Sequence, residues 1–391
     1  MDLHHFLLGK EITLLKTRPF GKGHMWECEK KRDGPEICPK CATPSTTRYG
    51  KACVIVKDEM VRGRPIALKI YKHRYLCRAC RKPFTESVSG VLPRRRTTQR
   101  LRNQILRDCD EVVNLSKVSR RHFCSRSLVQ KIFYTQMEIK LRERLQVRWP
   151  RVVGLDEHFF RRERAFTQFT TVFTDIKRRK MFDMALSKNK ASILEQVNHI
   201  PGRENVELAV LDLARGYRGL AHALFPNAKL IADKFHVLRL ITPSLIKARR
   251  EIHGHRQELG LRRKLLMNRQ KLDYFERCDL DRYLEKYPKL NELYRFKERL
   301  SQFYRTKGYN RAQVALEHII NQAKNSELLE VKRLGETLKE WKGEILEYFR
   351  TGFTNAFTEA MNAIAKLVQR RGCGYKNFKN YRLRTLSACP L

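Results

Sequence analysis

Asp156 in VVGLDEHFF, Asp212 in VELAVLDLARGY and Glu359 in FTNAFTEAMNAIAKLVQRR are carboxylates set among apolar residues. Brought together by a fold, they would form a cluster able to hold two divalent cations. Paired cations promote phosphodiester cleavage and rejoining by stabilising both the attacking and the leaving oxygen. Carboxylate oxygens are hard ligands, so Mg²⁺ (or Mn²⁺) is the expected metal. Either Asp alone is also an ordinary strand-end turn residue. Two of them emerging from neighbouring central strands would point to metal instead.

The elements that must position these acids are legible from hydrophobic periodicity. Residues 151–236 predict the order β-β-β-α-β-α-β: VVGLD, FTQFTTVFTD, KMFDMALS, a helix near 191–199, VELAVLD, a short helix near 219–224, and AKLIADKF. That order implies a mixed sheet flanked by helices. Asp156 and Asp212 fall at the ends of apolar strands, where a lone buried charge is costly without a partner or a metal. Asp233 follows the last strand and is the rival for the second acid; His236, three residues on, is either a structural histidine or a group that orients the cluster.

Residues 237–350 predict helices, punctuated by Pro243 and Pro288. A final helix over about 354–371 should stop at Gly372 and Gly374. At about 100° per residue, Asn355, Glu359, Asn362, Lys366 and Arg370 share one face, opposite Phe353, Phe357, Met361, Ile364 and Val368. The apolar stripe is expected to pack the helix down and the polar stripe to face elsewhere. An ordinary outer face in this chain would be dense in Lys and Glu, so paired Asn residues around one Glu read as a site.

Two CxxC pairs, Cys38/Cys41 and Cys77/Cys80, have the spacing by which two tight turns complete a tetrahedral Zn²⁺ site. Residues 42–76 between them exceed the usual spacer of about 15–20. They contain ACVIVKD and PIALKIYKHRYL, which alternate as strands do, with Arg62-Gly63-Arg64 as a turn. Cys28, Cys53 and His73 are substitute ligands; Cys109, Cys124, Cys278, Cys373 and Cys389 read as isolated thiols. After a basic stretch at 91–100, residues 97–140 predict three helices with a turn at Cys124-Ser125 and a core of Val118, Phe123, Leu128, Val129, Ile132 and Phe133. Ser125 would cap the third helix and present Arg126, Ser127, Gln130 and Lys131 as a recognition helix presents side chains to a DNA major groove.

With 82 Lys+Arg against 41 Asp+Glu, the net charge of +41 calls for a polyanion, most commonly nucleic acid. The 42% hydrophobic content excludes a disordered basic tail. No segment has the run of about 18 apolar residues that a membrane span requires, and MDLHHFLLGK lacks a signal-peptide layout. A cytoplasmic protein is expected, with reduced cysteines free to bind metal.

Taken in order, CPKC, RYLCRACRKPFTE, the three helices, GLDEHFF, LDLARGYRGL, FPNAKLIADKFHV and FTNAFTEAMNAIAKLVQRRGCGYKNFKNYRLRTL resemble the ISL-three family of bacterial insertion-sequence transposases over nearly the whole chain. The resemblance implies a zinc-ribbon DNA-binding domain (1–95), a helix-turn-helix domain (96–150) and a ribonuclease H-like catalytic domain (151–391) with a helical insertion at about 237–350. It implies a catalytic triad of Asp156, Asp212 and Glu359; the acid after the fourth strand of such a sheet is Asp212. Asp233 and His236 match the family's Asp-x-x-His element. Lys366 matches a basic residue that related enzymes place on the same helix, and Asn362 lies between. The Tyr and Arg that some of them carry before the Glu are absent, with Gly352 and Asn355 in those places. The implied partners are double-stranded DNA, at element ends and target, and a second copy of the chain; the implied location is the bacterial cytoplasm, on the nucleoid. The alternatives are a ribonuclease H-like nuclease that stops at hydrolysis and a zinc-dependent DNA-binding regulator with a decayed catalytic domain.

Overall fold

The computed structural model describes residues 11–31, 34–45, 47–144, 148–162, 167–254 and 260–389. The chain forms two compact units, 1–140 with 369–375 and 141–368 with 376–391.

In the first unit, β1 (Ile12–Phe20), β2 (Gly23–Lys30), β5 (Arg48–Val61) and β6 (Arg64–Leu76) form a sheet in the order β1-β2-β6-β5, and β7 (Pro83–Thr85) pairs with β6. Between β2 and β5, β3 (Glu36–Ile37) and β4 (Pro44–Ser45) make a small hairpin. Ile66, Leu68 and Ile70 recur every second residue of β6 and bury one face against Ile12, Cys28, Val56 and Val88. The expected turn joins β5 to β6: Arg62 and Gly63 have φ of 50° and 74°, the left-handed pair whose twist matches a tight hairpin.

Three helices follow: α1 (Gln99–Glu111), α2 (Leu115–Arg121) and α3 (Arg126–Arg144). Each start is held by a short polar side chain, Thr98 for α1, Asn114 for α2, and Ser125, whose Oγ accepts from Leu128 N at 3.3 Å, for α3. The basic stretch before them is no free linker, because Lys57 N donates to Arg96 O and Thr98 N to Lys57 O, each at 2.9 Å. Buried Asp58 fastens the join by accepting from Thr98 Oγ1 at 2.7 Å and Arg100 Nε at 2.6 Å.

The helical core keeps Val118, Val129, Ile132 and Phe133 and adds Leu101, Ile105, Cys109, Leu115 and Met137. Phe123 does not belong to it. Its φ of 50° turns the side chain outward, 42% exposed, and Cys124 is buried beside it instead. Leu128 is only half-buried.

The second unit contains the expected strand and helix order. Its sheet runs β10 (Lys180–Ala185), β9 (Thr167–Asp175), β8 (Val152–Arg162), β11 (Leu208–Leu211), β12 (Lys229–Ala232). β8, β9 and β10 are an antiparallel meander, whereas β8, β11 and β12 are parallel. α4 (Lys190–Val197) and α5 (Arg215–Leu224) make the crossovers.

From α6 (Lys234–Arg239) the chain continues through α7 (Thr242–His253), α8 (Leu261–Leu266), α9 (Tyr274–Glu285), α10 (Pro288–Phe303), α11 (Tyr309–Lys324), α12 (Leu329–Glu340) and α13 (Lys342–Thr351). Pro243 and Pro288 stand in first turns, where a missing N–H costs nothing. One hydrophobic core continues from Val153, Leu155 and Leu211 of the sheet to Leu293, Phe296, Trp341 and Ile345 of these helices. Burying each such side chain contributes about 1.5–3 kcal/mol. α14 (Ala356–Arg371) and α15 (Phe378–Ala388) follow, and α14 stops where Gly374, at φ 84°, donates to Gln369 O.

Candidate active site

Strand register brings the two early aspartates together. Gly154 of β8 pairs with Val210 of β11 in parallel, so Asp156 and Asp212, each two residues further, emerge at one level on one side. Leu211 pairs with Ala232 of β12, which brings Asp233 to the same end. These are carboxyl ends of parallel strands, where ligands of open α/β sheets gather.

The three acids differ in their surroundings. Asp233 is fully buried and saturated: its oxygens accept from Asn355 N at 2.9 Å, Phe235 N at 3.2 Å, His236 N at 3.3 Å and His236 Nδ1 at 3.1 Å. It caps α6 and fixes the approach to α14. His236 Nδ1 also stands 3.0 Å from Asp212 Oδ1. A single N–H serves one acceptor, and its alignment is on Asp233, so Asp212 Oδ1 is buried without a hydrogen-bond donor among the described residues. Asp212 and Asp233 together raise the imidazole pKa to about 10, so His236 is a cation at neutral pH. Burial, and then the charge of Asp212, push the Asp156 carboxyl up to about 6. Two neighbouring carboxylates, one with an oxygen met only by the His236 ion pair and the other pushed toward its neutral form, fit a hard divalent cation.

α14 lies across β8 at Gly154. A Cβ there would collide with Thr358 Oγ1 and Thr174 Oγ1, which hydrogen-bond each other at 2.7 Å. The glycine permits the close approach. Asn355 Nδ2 then donates to Leu155 O at 2.8 Å, and Asn362 Nδ2 to Asp156 Oδ2 at 2.5 Å. Glu359 lies between them on the same stripe. It is half-buried, and among the described residues its carboxylate has no hydrogen bond or ion pair with either aspartate. Lys366, two turns on, is exposed. The apolar stripe packs as expected at Met361 and Val368, each 4% exposed, but the polar stripe does not all face elsewhere: Asn355 and Asn362 are 0% and 2% exposed, so its start packs on the sheet, while Phe353 and Phe357 are only half-buried. A sheet carbonyl and a carboxylate accept from the two amide nitrogens, whereas the buried Asn355 Oδ1 has no hydrogen-bond partner among the described residues.

A chain of hydrogen bonds backs Asp156. Because Asn362 donates through Nδ2, its Oδ1 accepts from His158 Nδ1 at 3.0 Å, which leaves His158 Nε2 to accept from Tyr381 OH at 2.8 Å. Burial lowers His158 to about 4, so the ring is neutral and its tautomer is set by these partners. Sequence reasoning missed His158 and Tyr381. The available signal was the period of two in β8, which puts Gly154, Asp156, His158 and Phe160 on one face.

In the first unit, the sulfurs of Cys38, Cys41, Cys77 and Cys80 lie within 4.8 Å of one another. Cys38 and Cys80 are 3.7 Å apart, and Cys41 and Cys77 3.4 Å. Thiolates each about 2.3 Å from a tetrahedral metal stand about 3.8 Å apart, so the four suit Zn²⁺. The turns that hold them match: Ala42 and Arg81, each following a second or neighbouring cysteine, are left-handed at φ 57° and 51°, and Cys38 N and Cys77 N close the two hairpins by donating to Thr43 O and Lys82 O. Thr43 beside Cys41 lowers its thiol to about 6, toward the thiolate that a metal needs. The substitute ligands lie outside the cluster: Cys28 is buried in the sheet core and pushed up to about 12, Cys53 is exposed, and His73 is held by Glu86. At the start of α3, Arg126, Ser127 and Lys131 are exposed and Gln130 is half-buried. Among the described residues, no helix is long and apolar enough to cross a membrane.

The mixed sheet and its acid cluster define an α/β protein with a candidate divalent-metal centre. Comparison with known proteins narrows this: the DDE-type ISL3 family model, described as a transposase, matches residues 153–385, and the chain belongs to that family. The transposase for insertion sequence element IS1001 of Bordetella parapertussis is 22% identical over 372 residues, 90% of this chain and 89% of its own.

Proposed function

We propose that this transposase binds the terminal inverted repeats of its element and catalyses metal-dependent strand cleavage followed by 3′-OH strand transfer on a ribonuclease H-like domain, residues 151–391. The observation that supports the reading is the parallel register of β8 and β11, which sets Asp156 and Asp212 each two residues beyond the paired Gly154 and Val210, with the Asp212 Oδ1 met by the ion pair to His236 and by no hydrogen bond among the described residues. Asp156, Asp212 and Glu359 would hold two Mg²⁺ or Mn²⁺ ions, which when bound stabilise charge on attacking and leaving oxygens and lower the pKa of water.

The protein's own part is positioning. Asn362 holds Asp156 in one rotamer, and Asp233 fixes both His236 and the start of α14. Cationic His236 keeps two neighbouring carboxylates tolerable before metal arrives. Glu359, bonded to neither aspartate, is available to a ligand on the same side as Asn362. The cysteine cluster would hold structural Zn²⁺ in a ribbon over 1–95. Arg126, Ser127, Gln130 and Lys131 would read the element ends from the helix-turn-helix domain, 96–150, and a dimer would hold both ends.

The test incubates protein, Mg²⁺ and labelled element-end DNA with a target plasmid. Joined products are expected. Cleavage without joining would make the protein a nuclease, and binding without cleavage a regulator.

A further inference from the structure

Within the first unit, a groove of about 920 Å³ runs between β5, the stretch before α1 and the start of α3. Its charged lining is Lys57, Arg94, Arg95, Arg96, Arg102 and Lys131, with no acid among the described residues. Some cations elsewhere in this unit are matched, Arg100 with Asp58, Arg121 with Asp108 and Lys30 with Glu36, whereas the groove gathers six cations and no acid among the described residues along one lining. Among the described residues, Arg94, Arg95, Arg96, Arg102 and Lys131 have no carboxylate partner, and Lys57 Nζ donates only to Phe123 O, at 2.8 Å. Burial and the nearby charge of Arg95 hold Arg102 below the usual guanidinium range. The first turn of α3 adds its own positive end and contains no acidic residue.

The groove is also built in advance. The bonds from Lys57 N to Arg96 O and from Thr98 N to Lys57 O fix the backbone that carries the arginines. The floor is apolar, with Phe20 and Ile55 54% and 50% exposed and Leu128 beside them. A cationic rim over an apolar floor matches a polymer that alternates anionic phosphates with apolar sugar faces.

We infer that this groove seats one sugar–phosphate strand of duplex DNA, next to the major groove that α3 enters, and contributes affinity without reading bases. The inference rests on the proposed role of α3 and extends the DNA-binding surface beyond it.

The experiment measures binding of the full chain to an element-end duplex and to a random duplex of equal length, across a salt series. The Arg95→Gln/Arg96→Gln variant is expected to weaken both by the same factor, about tenfold or more. Its slope of log affinity against log salt should become shallower by about 0.9 for each phosphate no longer neutralised. Arg95→Lys/Arg96→Lys should keep the slope, since lysine still supplies a point charge. Gln130→Ala should do the opposite, reducing the preference for element ends at an unchanged slope. Wild-type affinity and slope in the Gln variant would overturn the groove, as would equal losses in the Lys variant. Either result leaves the α3 reading standing if Gln130→Ala still erases the preference. A wild-type protein with no preference for element ends would sink the α3 reading, while the groove would still be judged by its slope.

Discussion

The four cysteines and the carboxylates form candidate metal centres in opposite ways. Each cysteine pair is made by one tight turn, so two hairpins close the cluster and all four ligands are of one chemical type. The acids come from separate elements, and no two are alike: Asp233 is saturated, Asp212 has an oxygen met only by the His236 ion pair, Asp156 is gripped by Asn362, and Glu359 stands half-buried on α14. A closed set of like ligands suits a structural role, whereas an open and uneven set leaves room for substrate. The cysteine cluster thus depends on local turns and the acid cluster on the docking of α14.

The comparison can be broken first at the acids. Glu359→Gln should reduce strand cleavage to background while end binding is kept, as measured on labelled element-end DNA; a variant that still cuts would remove Glu359 from the site. Cys77→Ser should come next in effect. Structural zinc contributes apparent binding energies of about 10–16 kcal/mol, so its loss should unfold the ribbon and weaken end recognition. Manganese binding at the acids should survive in that variant, and its disappearance would show that the two centres are not independent.

Gly154→Ala tests docking directly. The added methyl displaces Thr358 and Thr174, at a cost of about 1–3 kcal/mol. Thermal unfolding should shift down by several degrees, and cleavage should fall further than stability alone explains. The smallest effect is expected from Tyr381→Phe, which leaves packing intact and removes only the O–H donated to His158. Loss of such a supporting bond typically costs about 10–100-fold in metal affinity. The Mg²⁺ needed for half-maximal cleavage should therefore rise, with end binding unchanged; an unaltered Mg²⁺ requirement would detach His158 and Tyr381 from the support of Asp156.

How much was legible follows the same division. The cysteine spacing and the Arg62-Gly63 turn could be read because each depends on neighbours in the chain. The apolar runs gave the order of strands in the second unit, and Asp212 emerged beside Asp156 as expected. Helix periodicity identified the two faces of α14 but not which of them meets the sheet. That depends on Gly154, whose missing side chain has meaning only once Thr358 lies over it. Phe123 was assigned to the helical core because aromatic residues usually are, and only its left-handed backbone turns it outward. His158 and Tyr381 were missed because 223 positions separate them in the chain.

Synthesis from the N-terminus adds an order in time to this arrangement. Asp156 leaves the ribosome more than two hundred residues before Tyr381 and Arg382, which clasps Asp183 at 2.5 Å. Until α15 is released, His158 has no hydroxyl to accept from, and a prematurely terminated product never acquires one. The brace behind Asp156 is therefore complete only once α15 has been made and has packed.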